Sequence, residues 1–336
     1  MSERPTAVLA LISALAPEMI LDEHLERLSA LCEVPDARPL VRFDEPRADA
    51  LLAEAEILLT GWGCPPLDSV VLARMPRLRA LFHAAGTIRN HVTDACWERG
   101  LVVSAAASAN ALPVAEYTLA AILFANKRVF LLRNRYRELR SFRLWSNEAP
   151  GLGNYRKRVG IVGASHIGRR VIELLRPFDL EVFVADPTLD AESAATLGVP
   201  RLELDALMRT CDVVSLHAPL LPGTRQLLDA RRLALLRDGA TLVNTARGGL
   251  VDADALEREL VSGRIHAVID TTEPELLPAE SPLYELPNVF LTPHIAGAQG
   301  VETRRLMECM LDEIDRHVRG EPLHHAITRA DLERIA

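Results

Sequence analysis

Val159-Gly160-Ile161-Val162-Gly163-Ala164-Ser165-His166-Ile167-Gly168 joins an apolar run to the start of an amphipathic one. The first half reads as a strand buried on both faces, the second as the first turn of a helix. Gly163 permits the tight turn between them, and Gly168 lets the helix lie close to the strand. His166 and Ile167 open that helix, where unpaired N–H groups and a partial positive charge suit a pyrophosphate. Ser165 takes the middle glycine position of G-x-G-x-x-G. Its Cβ limits how closely the backbone approaches a phosphate, and its hydroxyl can donate in part compensation. A strand–helix turn with no ligand is the bland reading. Asp186, 23 residues after Gly163 at the end of the next apolar run, weighs against it. An acidic residue at about that spacing accepts hydrogen bonds from adenosine ribose hydroxyls and repels a 2′-phosphate. Pro187, Thr188 and Leu189 follow without an arginine, so NAD is expected rather than NADP.

Outward from this turn, apolar runs alternate with helical patterns. Strands are expected at Arg158–Gly163, Leu180–Ala185, Asp212–Leu216, Ala240–Asn244, His266–Asp270 and Asn288–Leu291. Helices are expected at Ile167–Leu175, Leu204–Arg209, Ala230–Leu236 and Ala253–Ser262. This is the pattern of a doubly wound parallel sheet. A weaker series precedes it, with strands at Ala7–Ile12, Glu56–Thr60, Leu78–His83 and Leu101–Ser104 and a helix at Asp22–Cys32. Between the two series, Pro113 opens an apolar helix, Val114–Lys127, which must be buried in a core or against a second subunit. The Arg-rich stretch Arg128–Arg143 reads as polar, and residues 301–336 as one long amphipathic helix and a tail.

The 336 residues exceed one ordinary core and point to two domains. A net charge of −8 argues against nucleic acid and against anionic membrane surfaces. The run Val114–Ala125 contains Glu116 and falls short of the roughly 20 residues of a membrane span. Five scattered cysteines without a CxxC pair argue against disulfides and a zinc site, fit a reducing cytoplasm, and leave no metal expected. The N-terminus lacks the strong basic start of a signal peptide.

Four further segments carry chemistry. They are Asn110-x-x-x-Val114-Ala115-Glu116; Leu216-His217-Ala218-Pro219-Leu220 with Thr224 and Arg225; Asn244-Thr245-Ala246-Arg247-Gly248-Gly249-Leu250-Val251-Asp252; and Asp270 to Glu275, Ser281-Pro282-Leu283 and Leu291-Thr292-Pro293-His294-Ile295-Ala296-Gly297. In joint order and spacing they resemble the D-isomer-specific 2-hydroxyacid dehydrogenase family over nearly the whole chain.

The resemblance implies an α/β fold of two Rossmann- and flavodoxin-like domains with parallel sheets and an interdomain cleft. The substrate domain would span roughly 1–106 with 300–336, the NAD domain roughly 107–299. Hydride would pass between NAD(H) and C2 of a small 2-oxo or 2-hydroxy acid, as in a glyoxylate or hydroxypyruvate reductase. Arg247 would grip the carboxylate in a bidentate way and polarise the C2 carbonyl. His294 would exchange the proton of the C2 oxygen, with a carboxylate fixing its tautomer. Glu275, five residues after Asp270, is favoured for that partner by spacing; Glu273 is its rival. Asp270 would bind the nicotinamide carboxamide. His217, Ala218, Pro219, Thr224, Thr245, Ala246 and Gly297 would line the cofactor beside Arg247 and His294, with His217 no second base. Ala85 and Gly86, in Ala84-Ala85-Gly86-Thr87, would offer N–H groups to the substrate carboxylate, and Trp62 would stand at the pocket mouth. The loop departs from the family's V-G-x-D-x-I-D, and no basic residue appears in the short loop Thr60-Gly61-Trp62-Gly63 to favour a phosphorylated substrate; Arg89 could supply that charge, with a plain surface role as its bland reading. The Val114–Lys127 helix would help form a homodimer. An NADH-binding corepressor or sensor on the same fold is the alternative, which the acidic charge and the intact Arg247, Glu275 and His294 disfavour.

Overall fold

A computed structural model of the chain describes residues 4–12, 14–145, 149 and 151–333. The ends of the two outer spans read above, 1–3 and 334–336, lie outside the described residues, as do 13, 146–148 and 150. The chain divides into two compact units, Met1–Ala111 with Ala298–Ala336, and Leu112–Gly297.

The first unit holds a five-stranded sheet in the order β1 (Ala7–Ala10), β2 (Ile57–Thr60), β3 (Ala80–His83), β4 (Val102–Ala105), β11 (Ala326–Ile327). The first four strands are parallel; β11 runs antiparallel to β4, pairing Ala326 with Ser104. Successive residues feed opposite cores, as a strand's period of two requires. Ala7, Leu9, Leu59 and Phe82 join Leu306 and Met310, while Val8, Ala10, Leu58, Leu81 and Val103 join Leu52, Leu72 and Cys96. Burying each such leucine stabilises the fold by roughly 1.5–3 kcal/mol.

The last stretch is more than a helix and tail. After the helix Thr303–Val318 the chain returns as β11. The turn is held by buried Glu313, whose carboxylate accepts hydrogen bonds from Ser104 Oγ (2.9 Å), His324 N (3.0 Å) and His325 N (2.9 Å).

The second unit holds a six-stranded, wholly parallel sheet. Its order is β6 (Glu181–Ala185), β5 (Arg158–Val162), β7 (Val213–Leu216), β8 (Thr241–Asn244), β9 (His266–Ile269), β10 (Val289–Leu291). Val214, Leu216, Leu242 and Ile269 feed one core; Val159, Ile161, Val213, Val243 and Val268 feed the other. Strand order reverses between β5 and β7, the place where open α/β sheets bind ligands.

Pro113 does not open a helix but lies inside one, α1 (Ala107–Asn126). The local cost of proline is outweighed by burial of Ala109, Ala111, Val114 and Ala115 on either side of it. The helix is therefore 20 residues, long and apolar enough to cross a membrane by length and composition alone. Here Ala115, Ala121, Ile122 and Ala125 belong to a core, and Thr118 Oγ1 hydrogen-bonds Thr245 Oγ1 at 2.9 Å. The Arg-rich stretch contains a helix too, α2 (Val129–Leu139), none of whose residues is buried.

Candidate active site

The loops after β5 and β7 meet at the strand reversal. Gly163 has φ +98°, and a Cβ on it would lie 2.5 Å from the Ala218 nitrogen. A Cβ on Gly168 would lie 2.0 Å from the Gly163 carbonyl oxygen, so the helix α3 (His166–Leu175) packs against its own loop. Both glycines are required by backbone contact before any ligand is considered.

Ser165 is the N-cap of α3, its Oγ accepting from Gly168 N at 3.3 Å. Among the described residues, the N–H groups of Ser165, His166 and Ile167 have no protein acceptor. Three successive open donors at a helix N-terminus fit a pyrophosphate. Asp186 also serves the loop. Its carboxylate accepts from Ala164 N (2.6 Å), Thr188 N (2.8 Å) and Thr188 Oγ1 (2.7 Å). A carboxylate has about four lone-pair sites, so one stays open for a ribose hydroxyl. The donor set thus fits a dinucleotide. Arg169, passed over in the sequence, donates from Nε to the Ala164 carbonyl at 2.8 Å and adds positive charge to the loop.

After β7, His217 is fully buried. Its Nε2 lies 2.9 Å from Ser215 Oγ, its Nδ1 has no partner among the described residues, and burial lowers its pKa to about 3. A ring held neutral in this way is no proton carrier near neutral pH. Thr224 folds its own turn: Oγ1 donates to the Pro219 carbonyl at 2.6 Å and accepts from Leu221 N at 2.8 Å.

After β8, Asn244 shapes the next turn. Its Oδ1 accepts from Ala246 N (3.1 Å) and its Nδ2 donates to the Arg247 carbonyl (3.0 Å). Thr245 and Ala246 are buried by this turn. The half-buried Arg247 makes one side-chain hydrogen bond to a described residue, to the Ala246 carbonyl at 2.7 Å. Burial lowers its pKa while the charge of Glu275 works against that. Most guanidinium donors therefore remain available.

After β9, Asp270 is 2% exposed. One carboxylate oxygen accepts from Thr292 Oγ1 (2.6 Å) and Ile295 N (2.8 Å), the other from Ala296 N (3.0 Å). Tyr117 OH donates to Thr292 Oγ1 at 2.8 Å, since that hydroxyl's hydrogen is already given to Asp270. Asp270 thus builds the 292–296 loop, a duty invisible from its sequence motif. His294 sits in this loop at φ +54°. Its Nδ1 lies 2.5 Å from Glu275 Oε1. An ionised carboxylate only accepts, so Nδ1 carries the hydrogen and Nε2 is left for a working proton. Glu273, the rival, is occupied: it meets Arg225 in a bidentate pair at 2.7–2.9 Å. A Cβ on Gly249 would strike that carboxylate at 2.3 Å. Gly297 ends the unit.

In the first unit, Trp62, Ala85 and Gly86 follow β2 and β3. Trp62 is half-buried and packs on the Leu9, Leu59 and Phe82 core rather than standing free. Ala85 N–H is given to the His83 carbonyl at 2.8 Å, so this expected donor is spent. Gly86 N–H has no acceptor among the described residues. The loop rests on buried His83, which bonds Thr60 Oγ1 through Nδ1 (2.8 Å) and also the Thr87 backbone. His91 stacks on it with ring centroids 4.2 Å apart.

Residues 119–296 match the model of the D-isomer specific 2-hydroxyacid dehydrogenase, NAD binding domain. A D-3-phosphoglycerate dehydrogenase of Mycobacterium tuberculosis is 35% identical over 268 residues, 78% of this chain but 49% of that protein. This chain therefore spans about half the length of that relative. An (S)-sulfolactate dehydrogenase of Chromohalobacter salexigens is 34% identical over 282 residues, 80% of this chain and 90% of that protein. Among solved structures, D-lactate dehydrogenase from Aquifex aeolicus complexed with NAD and lactic acid superposes with a TM-score of 0.71. It is 25% identical, over 94% of this chain and 96% of that one. On sequence, sheet order and site geometry together, the chain belongs to the D-isomer specific 2-hydroxyacid dehydrogenase family, and its second unit is the family's NAD-binding domain.

Proposed function

We propose that the protein is an NAD-dependent oxidoreductase that interconverts a small 2-oxo acid and the corresponding 2-hydroxy acid, working as a reductase. The observation that carries this is the Glu275–His294 pair at 2.5 Å, on the same sheet edge as an under-committed Arg247. Arg247 holds the substrate carboxylate and polarises the C2 carbonyl. His294 gives the proton on Nε2 to the C2 oxygen, and Glu275 stabilises the charged ring before the transfer. NADH, when bound, supplies the hydride that reaches C2. Ser165, His166 and Ile167 would hold its pyrophosphate, with Gly168 letting the helix close on the loop, and Asp186 would hold its ribose, while Thr245, Ala246, Pro219 and Ala218 would line it.

We further propose that the protein works in the cytoplasm as a homodimer. Five free cysteines and no disulfide among the described residues are consistent with a reducing compartment. The apolar groups left exposed on α1, on α2 and after it (Phe124, Tyr136, Leu139, Phe142 and Leu144) favour a second copy as their cover.

The test is NADH consumption with a panel of 2-oxo acids, using wild type and His294→Ala. Turnover by the wild type is expected. The variant should lose about 10²–10⁴-fold in kcat with NADH affinity within a few-fold. A wild type that binds NADH yet turns over no acid would favour a sensor or corepressor role. A fully active His294→Ala would remove the histidine from the mechanism.

A further inference from the structure

Two adjacent residues of α1 reach two different loops of the second unit. Tyr117 OH donates to Thr292 Oγ1 at 2.8 Å, and Thr292 donates in turn to Asp270 at 2.6 Å. Thr118 Oγ1 shares a hydrogen bond with Thr245 Oγ1 at 2.9 Å. Thr292 lies two residues before His294, and Thr245 two residues before Arg247. The same offset in both loops places one α1 hydroxyl behind each of the two side chains on which the proposed chemistry depends.

Packing fixes the helix that carries them. Ala115 and Ile122 of α1 share a core with Val243 of β8 and Val268 of β9. Thr245 follows β8 and Thr292 follows β10, with Asp270 after β9 between them. Strands two places apart in a sheet are separated by roughly 9–10 Å. A short threonine and a long tyrosine, neighbours in sequence and about 100° apart around the helix, span that gap. Beyond each tie the support continues into the loop. Asp270, which Thr292 meets, also accepts from the N–H groups of Ile295 and Ala296, directly after His294. Thr118 and Thr245 are both buried, so removing one hydroxyl leaves the other's bond unmade away from water.

We infer that α1 is a common mount for the two working loops, and that Tyr117 and Thr118 are positioning residues which fix the spacing between His294 and Arg247. That spacing matters because, in the oxidoreductase reading on which this rests, Arg247 holds the acid's carboxylate while His294 gives its proton to the C2 oxygen. Carboxylate and C2 oxygen sit on adjacent carbons of one small molecule, so both side chains engage it only at a fixed separation, and small displacements are costly in rate. The sheet supplies that separation as far as the strand ends. Past them the backbone is irregular, and the hydroxyls of α1 carry the register onward. Tyr117 acts through Thr292 on the loop of the proton donor, and Thr118 acts through Thr245 on the turn of the carboxylate-binding arginine.

The experiment measures kcat and KM of the full chain on glyoxylate, pyruvate and hydroxypyruvate at saturating NADH, with NADH affinity by fluorescence and stability by urea unfolding. Tyr117→Phe is expected to lower kcat about five- to tenfold, the scale of one neutral hydrogen bond, with KM for the acid within about twofold. Thr118→Val is expected to raise that KM by a similar factor with kcat within about threefold, and Thr118→Ser, which restores the hydroxyl, to return it to the wild-type value. In a Thr292→Val background, Tyr117→Phe should cost nothing further, because its partner is gone. A normal kcat in Tyr117→Phe or a normal KM in Thr118→Val overturns the common mount and leaves the oxidoreductase reading standing. So does a loss of urea stability with kcat and KM moved alike in both variants, or a full Tyr117→Phe effect in the Thr292→Val background; either reduces the hydroxyls to packing. A wild type silent on all three acids while binding NADH defeats the reading and the inference with it.

Discussion

At the carboxyl edge of the second unit's sheet, Asp186 accepts three hydrogen bonds, Asp270 three more, Glu273 meets Arg225, and Glu275 meets His294. At the same edge of the first unit's sheet, the loops carry no charge. Their polar support is Thr60 with two buried neutral histidines. Both edges must hold irregular backbone in place. In the second unit carboxylates do it, because a charged acceptor takes several N–H donors at once and makes stronger hydrogen bonds. In the first unit it is done by neutral rings and close packing, which leave no field. One edge concentrates charge and open donors; the other carries neither charge nor a field.

The largest effect should come from breaking the charged edge at Asp270. In Asp270→Asn, an NH₂ group faces at least one of the three donors that the carboxylate now accepts. A buried donor left unsatisfied costs about 1–3 kcal/mol. We expect unfolding free energy to drop by about 2 kcal/mol and kcat to fall by about ten- to a hundredfold, because the loop presenting His294 loosens. Urea unfolding alongside kcat checks this. Lost stability with normal kcat would show that the backbone bond from His294 N to the Asp270 carbonyl (2.9 Å) holds the loop unaided.

The neutral edge is probed by pH. The folded state holds His91 at about 4, whereas an unfolded histidine titrates near 6.5. Between those values the unfolded chain binds the extra proton, so stability is full above pH 6.5 and declines as pH falls toward 4. Each such histidine contributes a slope of about 1.4 kcal/mol per pH unit. His91→Gln should flatten the decline by that amount in urea titrations at pH 7, 6 and 5. An unchanged slope would mean that His83, His217 and His266 carry the acid sensitivity without it.

Most strands of both sheets were legible, because apolar runs between turn residues have little else to be in a sheet covered on both faces. The glycine turn was legible because close backbone contact forbids a Cβ at Gly163 and Gly168. Other features depend on partners far away in sequence. Proline normally marks a helix start, and only burial around Pro113 shows otherwise. Arg128–Arg143 reads only as polar because α2 buries no residue fully and meets the core through Phe130, which stacks on Phe290 with ring centroids 3.8 Å apart. Spacing favoured Glu275 over Glu273, yet it could not reveal that Arg225, 48 residues earlier, occupies the rival. Nor could it show that Ala85 N–H is closed off within its own turn, or that Asp270 holds a loop 22 to 26 residues further on.

The smallest effect is expected at Asp186, where the charged edge meets the cofactor. Read from sequence alone, Asp186→Ala should simply admit a 2′-phosphate and raise NADPH use. The structure divides the residue's duties: one oxygen steadies Ala164 N at 2.6 Å, and the other holds Thr188. Removing the carboxylate lifts the repulsion and loosens the turn that both cofactors need. The NADH-over-NADPH ratio of kcat/KM should therefore narrow by roughly three- to tenfold, about 1 kcal/mol, with more of the change in weaker NADH than in stronger NADPH. Separate kcat/KM values for the two cofactors decide it. A gain in NADPH with NADH unchanged would mean that Asp186 acts on the cofactor alone. A loss shared equally by both would make it a residue of the loop, and the discrimination would have to arise elsewhere in the turn.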